Sequence, residues 1–249
     1  LPSIDSLGDW AAEVPPPART LAESAWPGPL TLIVPRAPGV LDAVTGGLDT
    51  VGLRVPAHPV ALLLLERTGV ALAAPSANRF GAVSPTTALH VASDLGDRLV
   101  PGRDVILDGG ACPIGVESTI IDCASSPPQI LRAGAISVED VTRLLTGMVA
   151  DASGPSRASG MLASHYAPRC AVRLVDSPDD AAALRAGTVG SEILDLTDDL
   201  VVYARELYAR LRDADDRGVR TLIAVLPPAA GLGHAIRDRL TKAAAPRPT

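Results

Sequence analysis

The sequence is poor in several things, and each shortage excludes something. It holds two Trp, three Tyr and one Phe, and its net charge is −6 at pH 7, so a basic, aromatic-studded platform for single-stranded nucleic acid is not expected. Lys242 is its sole lysine among 22 basic residues. Any anion held by a side chain before that point must therefore be held by Arg, His or backbone N–H. Cys112, Cys123 and Cys170 are odd in number, widely spaced and never arranged C-x-x-C. That pattern argues against a disulfide framework or a zinc site and fits a reducing cytoplasm. The longest strongly apolar run, VALLLLE from Val60, falls far short of the roughly 20 residues needed to span a bilayer. No basic segment followed by an apolar one opens the chain, so no secretory signal is read. Leu1 is not a natural start, and loss of an upstream segment is expected. The phosphate and hydrolase signatures G-x-x-x-x-G-K-[ST], H-E-x-x-H and G-x-S-x-G are also absent.

What is present is an apolar content of 47% over 249 residues, enough to bury one large or two ordinary cores. The first part alternates β-rich runs and helical patterns. LTLIVP, VGLRVP and VALAAP read as strands, separated by a helix over about 59–67 and followed by another from Pro85 to Leu95. VILDGG, STIIDCA and QILRAG read as three late strands with an antiparallel section, before a helix capped by Ser137 with Asp140 three residues on. Residues 149–169 lose all periodicity. Beyond them AVRLV, SEILDL and TLIAVLP alternate with helices opened by Ser177 and Pro178, closed by Gly218, and started near GLGH, which predicts a small three-stranded, mainly parallel sheet. The glycines of GLGH suit a tight strand-to-helix turn, because a dinucleotide fingerprint fails at Ile236.

The chemistry-bearing residues cluster at predicted strand ends. AAPSANRFGAVSPTT brings Ser76, Asn78, Arg79 and Ser84 to the end of an apolar strand, before a helix whose first N–H groups suit an anion. Ser84 before Pro85 is equally an ordinary N-cap pair. Thr50, Arg54 and His58 recur at spacing four and would share a strand face, although Pro56 and Pro59 interrupt it; a salt-bridged Arg54 and a solvated His58 are the alternatives. Ser118, Thr119 and Arg132 lie at the ends of neighbouring strands.

Taken in order, WPGPLT, GLRVPAHP, APSANRFGAVSPT, GVESTIID, ILRAGAI and GMLASHYAP resemble the L-threonylcarbamoyladenylate synthases in their two-domain form. The resemblance covers essentially the whole chain. It implies a mixed α/β architecture: a YrdC-like twisted sheet domain over 1–148, a linker that doubles as a lid over 149–169, and a small Rossmann-like domain over 170–249. It further implies that L-threonine, bicarbonate and ATP, the last with Mg²⁺, yield threonylcarbamoyl-AMP and pyrophosphate. The product would pass to a separate transferase acting on tRNA. By matching positions, Thr50, Ser76, Ser84, Arg132 and Tyr166 would contact ATP, and Arg54, the backbone at Ala74 and Ser118 would hold threonine. Ser76 and Asn78 form the S-x-N element assigned to catalysis, and no protein metal ligand is expected. In the lid, Pro155 and Pro168 would stiffen and Gly154 and Gly160 would hinge. The family's PTET-like strand and K-x-R element, which lie before this point, have no counterpart here. The alternative is therefore a non-catalytic ATP- and threonine-binding remnant. A carbamoyl-transfer domain of hydrogenase maturation proteins and an RNA-binding module fit less well, and direct tRNA binding is not expected.

Overall fold

The computed structural model describes residues 1–147, 149–154 and 166–246. After a 3-10 turn at Ile4–Ser6 the elements are α1 (Leu7–Trp10), α2 (Pro16–Ala25), β1 (Leu30–Pro35), α3 (Asp42–Thr45), β2 (Thr50–Leu53), α4 (Pro59–Thr68) and α5 (Ala88–Leu95). There follow β3 (Thr119–Asp122), β4 (Gln129–Arg132), α6 (Val138–Leu144), β5 (Ala150–Asp151), β6 (Ala171–Val175), α7 (Pro178–Ala186), β7 (Ser191–Leu194), α8 (Leu200–Asp216), β8 (Thr221–Val225) and α9 (Leu232–Ala244). The chain packs as two compact units. An N-terminal unit takes Leu1–Ala74 and the chain from Glu117 to the linker; a C-terminal unit takes Pro75–Val116 and the chain beyond the linker. Residues 75–116 thus pack with the C-terminal unit although they precede the linker in the sequence.

In the N-terminal unit five strands run in the order β2-β1-β3-β4-β5. β1 pairs antiparallel with β2 and parallel with β3, β3 pairs antiparallel with β4, and β4 parallel with β5. Alternation along β1 divides its side chains between two faces: Leu30, Leu32 and Val34 are fully buried on one side, so Thr31 and Ile33 point to the other. Ala18, Leu21 and Ala22 of α2, one apolar stripe at spacing three and four, join Leu30, Leu32, Val34, Ile121 and Val141 in the main core. Ile33, Ile120 and Leu131 form a separate small cluster on the opposite face. The Ser137 hydroxyl accepts from the Asp140 N–H at 3.0 Å and donates to its carboxylate at 2.6 Å, completing the predicted cap of α6.

In the C-terminal unit β8 lies between β6 and β7, all parallel. Ile223 and Val225 pack with Ala181 of α7. α8 buries Tyr203, Ala204, Leu207, Tyr208, Leu211 and Ala214, and the Tyr203 hydroxyl donates to the Val225 carbonyl at 2.9 Å. Ser177 caps α7 with Pro178 in its first turn, and Gly218 follows the end of α8, as the sequence predicts.

Three predictions fail. VALAAP and VILDGG form no strand, and Val70, Leu72, Val105 and Leu107 stay exposed. The helix expected from Pro85 starts at Ala88, because Thr87, whose side chain accepts from the His90 N–H, is the cap in place of Ser84. Thr50, Arg54 and His58 do not share a strand face. β2 ends at Leu53, and His58 is the N-cap of α4, its Nδ1 accepting from the Val60 N–H at 3.3 Å. No helix among the described residues is long and apolar enough to cross a membrane.

Candidate functional site

The face of the N-terminal sheet opposite the main core gathers buried polar groups, Ser118 and Arg132 among them. Thr31 Oγ1 lies 2.8 Å from Ser118 Oγ, the link running from β1 to the residue before β3. The register shifts between Ile120 and Ile121, where Arg132 stands opposite Ile120 and Ile130 opposite Ile121. This bulge turns Arg132 toward the Ile120 side. Its Nε and Nη2 donate to the Ser118 carbonyl at 3.1 and 2.9 Å, and Nη2 also donates to Ser118 Oγ at 3.2 Å. Gly134 permits this closeness: a Cβ there would sit 2.4 Å from the Glu117 carbonyl and 2.5 Å from the Ser118 carbonyl carbon.

Arg54 directly follows β2 and donates from Nε to the Gly28 carbonyl at 2.8 Å, in the turn of WPGPLT. Its pKa is lowered, first by burial and then by the charge of Arg132. Two guanidinium groups thus feel one another beside a hydroxyl pair. That donor set suits a carboxylate or phosphate, which would relieve the repulsion. Thr50 is half-buried at the start of β2, opposite Pro35, and Ala74 is exposed on an irregular stretch. Thr31 and the Gly28 carbonyl join the site although the sequence pattern singles out neither for it. The signal for Thr31 was a hydroxyl alternating with Leu30 and Leu32.

The C-terminal unit carries the other candidates. Ser76 is exposed. Asn78 Nδ2 donates to the carbonyls of Arg79 and Ala82 at 2.9 and 3.0 Å, which ties a tight turn. Its Oδ1 is buried with no hydrogen-bond partner among the described residues. Arg79, read as a possible anion ligand, forks onto Asp97 at 2.8 and 2.9 Å. Ser84 is buried, and its carbonyl accepts from Arg212 Nε at 3.2 Å. Tyr166 has φ +61 and is 2% exposed; its ring lies 5.4 Å from that of Tyr208, with the Arg239 guanidinium 5.6 Å from its centroid. Residues 155–165 of the expected lid, Pro155 and Gly160 included, lie outside the described residues. Among the described residues no group of three or more His, Cys, Asp or Glu side chains is placed to hold a metal ion. Two surface hollows, one lined by Arg36, Asp42 and Asp49 and one by Trp10, Gly39 and Val70, include none of the candidates.

Fold and site define a two-domain α/β protein with an arginine- and hydroxyl-lined sheet face. The family model described as "Telomere recombination" (Sua5_yciO_yrdC) matches residues 1–134, and the one described as "Threonylcarbamoyl-AMP synthase, C-terminal domain" matches residues 136–245. A threonylcarbamoyl-AMP synthase of Pyrococcus abyssi is 37% identical, over 97% of this chain and 77% of its own length. One from Bacillus subtilis is 36% identical, over 98% and 78%. The crystal structure of P. abyssi Sua5 complexed with L-threonine superposes with a TM-score of 0.88 at 36% identity, over 97% of this chain and 78% of that one. The chain belongs to the threonylcarbamoyl-AMP synthase family of Sua5 and YrdC proteins, in its two-domain form.

Proposed function

We propose that the protein joins L-threonine, bicarbonate and ATP into threonylcarbamoyl-AMP, releasing pyrophosphate and water, and that a separate transferase delivers the threonylcarbamoyl group to tRNA in the cytoplasm. The observation that carries this reading is the bonding of Arg132 to Ser118, with the Arg54 guanidinium near enough to feel the charge of Arg132. Arg54 and Ser118, with the backbone at Ala74, hold the threonine carboxylate and hydroxyl; Arg132 contributes charge to a phosphate of ATP. Thr50, Ser76, Ser84 and Tyr166 are the further ATP contacts, and Asn78 shapes the turn that follows Ser76.

The chemistry asks little of the side chains as nucleophiles. The threonine amine attacks the carbon of bicarbonate, one C–O bond breaks and that oxygen leaves as water with a proton from the amine, and the resulting carbamate oxygen attacks the α-phosphorus of ATP, with pyrophosphate leaving. Such a sequence is accelerated by orientation and by fixed positive charge. Mg²⁺ would arrive with the nucleotide, taking its oxygens mainly from phosphate and water. The test is pyrophosphate release that requires threonine and bicarbonate together. Arg132→Ala should lower it roughly ten- to a hundredfold, the range for a lost charge-assisted hydrogen-bond set. Release that ignores threonine would overturn the reading.

A further inference from the structure

We infer that Arg212, on α8 of the C-terminal domain, is a positioning residue that fixes the loop 83–87 for the nucleotide. The inference rests on the proposal that Ser84 contacts ATP. Arg212 is separated from Ser84 by 128 residues in the sequence. Its guanidinium nonetheless donates to the carbonyls of both Val83 and Ser84. It also forks onto Asp94 of α5, with Nη1 to Oδ1 at 3.1 Å and Nη2 to Oδ2 at 2.6 Å. The two side chains of this pair are only 13% and 15% exposed. One planar cation therefore binds two consecutive peptide carbonyls and a carboxylate at once. Arginine has the five donors in a fixed plane for this; lysine does not.

The remainder of the loop is fixed from the other side. His90 Nδ1 accepts from the Thr86 N–H at 3.2 Å, Thr87 caps α5, and the Thr86 carbonyl accepts from the Cys112 N–H at 2.9 Å. α8 is also the surface on which residue 115 rests. Gly115 has φ +84, and a Cβ there would lie 2.3 Å from the Ala204 carbonyl oxygen. The peptide between Val83 and Ser84 is planar and trans, so with its carbonyl on Arg212 the Ser84 N–H points the opposite way. Ser84 is thereby presented in one orientation by a helix of its own compact unit. A preorganised contact of this kind lowers the ordering cost of binding.

The experiment measures ATP and L-threonine affinities by calorimetry on the full chain and on Arg212→Met, Arg212→Lys and Asp94→Asn, with melting midpoints as the folding control. Expected for Arg212→Met is ATP binding weakened about tenfold or more with threonine binding within about twofold, the scale of a lost charged hydrogen-bond set. Lysine should rescue little, and Asp94→Asn should fall between, with faster amide exchange over 83–95. Equal ATP affinity in folded Arg212→Met or Arg212→Lys would overturn the inference, as would a parallel loss of both ligands. If Arg212→Met does not fold, Asp94→Asn decides in the same way. The underlying reading fails differently: the unaltered chain then binds no ATP, and loop positioning falls with it. Absent pyrophosphate release with ATP still bound removes only turnover and leaves the affinity test intact.

Discussion

Residues 171–246 and 75–116 share one compact unit but are held by different physics. In the first, β8 has a neighbour on each side, and Leu222, Ile223, Ala224 and Val225 are at most 3% exposed. In the second, the elements are α5 and a 3-10 turn at Gly96–Arg98, and Val105 stands 78% exposed. That segment is secured by polar tethers, Arg212 to Asp94 and Arg79 to Asp97 among them. The lesson is that a β-like sequence becomes a strand only where its N–H and C=O groups find a partner.

The sharpest way to break this contrast is truncation. Ile223→Ala should cost about 2–5 kcal/mol in a denaturant melt, because it empties a closed core; Val105→Ala should stay within about 0.5 kcal/mol, because its side chain is already in water. Equal losses would dissolve the distinction. Gly115→Ala comes next, forcing a left-handed backbone and a Cβ into the Ala204 carbonyl. A cost of about 1–3 kcal/mol is expected, read in the same melt. Thiol reactivity gives a smaller but cleaner signal. Cys112 is exposed, while Cys123 is buried and its thiol is pushed up to about 12, chiefly by burial and then by Asp122. At pH 8 a disulfide reagent should label Cys112 promptly and Cys123 only on unfolding.

The smallest effect concerns His90. Burial and then the charge of Arg212 lower its pKa below the ordinary 6.5, against the pull of Asp94 and Asp216. The folded chain thus takes up this proton at lower pH than the unfolded chain. The corresponding stability is full above pH 6.5 and declines as pH falls from there through the folded value. Protonation at Nδ1 also removes the acceptor for the Thr86 N–H. An NMR titration should place the His90 midpoint below that of an unfolded reference; a midpoint at or above it would refute the sign.

Local signals were read correctly where they are self-contained. Ser137 with Asp140, Ser177 with Pro178, and the alternation of TLIAV each specify an element within a few residues. VALAAP and VILDGG carry the same local pattern without becoming strands, because a strand also needs a partner from distant chain, and the fold uses His58 as a helix cap. At the candidate site Arg54, Ser118 and Arg132 are marked by residue type and motif, whereas the contacts of Thr31 and Arg212 are not. Their partners lie 87 and 128 positions distant, and no periodicity encodes such a distance.

By itself, then, the sequence determined the mixed α/β class, the caps and the parallel C-terminal sheet, because 2.0 and 3.6 residue periods and cap chemistry act over single turns. Tertiary structure alone decided that a one-residue bulge would bring Arg132 onto Ser118 and that Arg212 would clamp the loop bearing Ser84. Long-range hydrogen bonds are chosen by which backbones the packed core brings together.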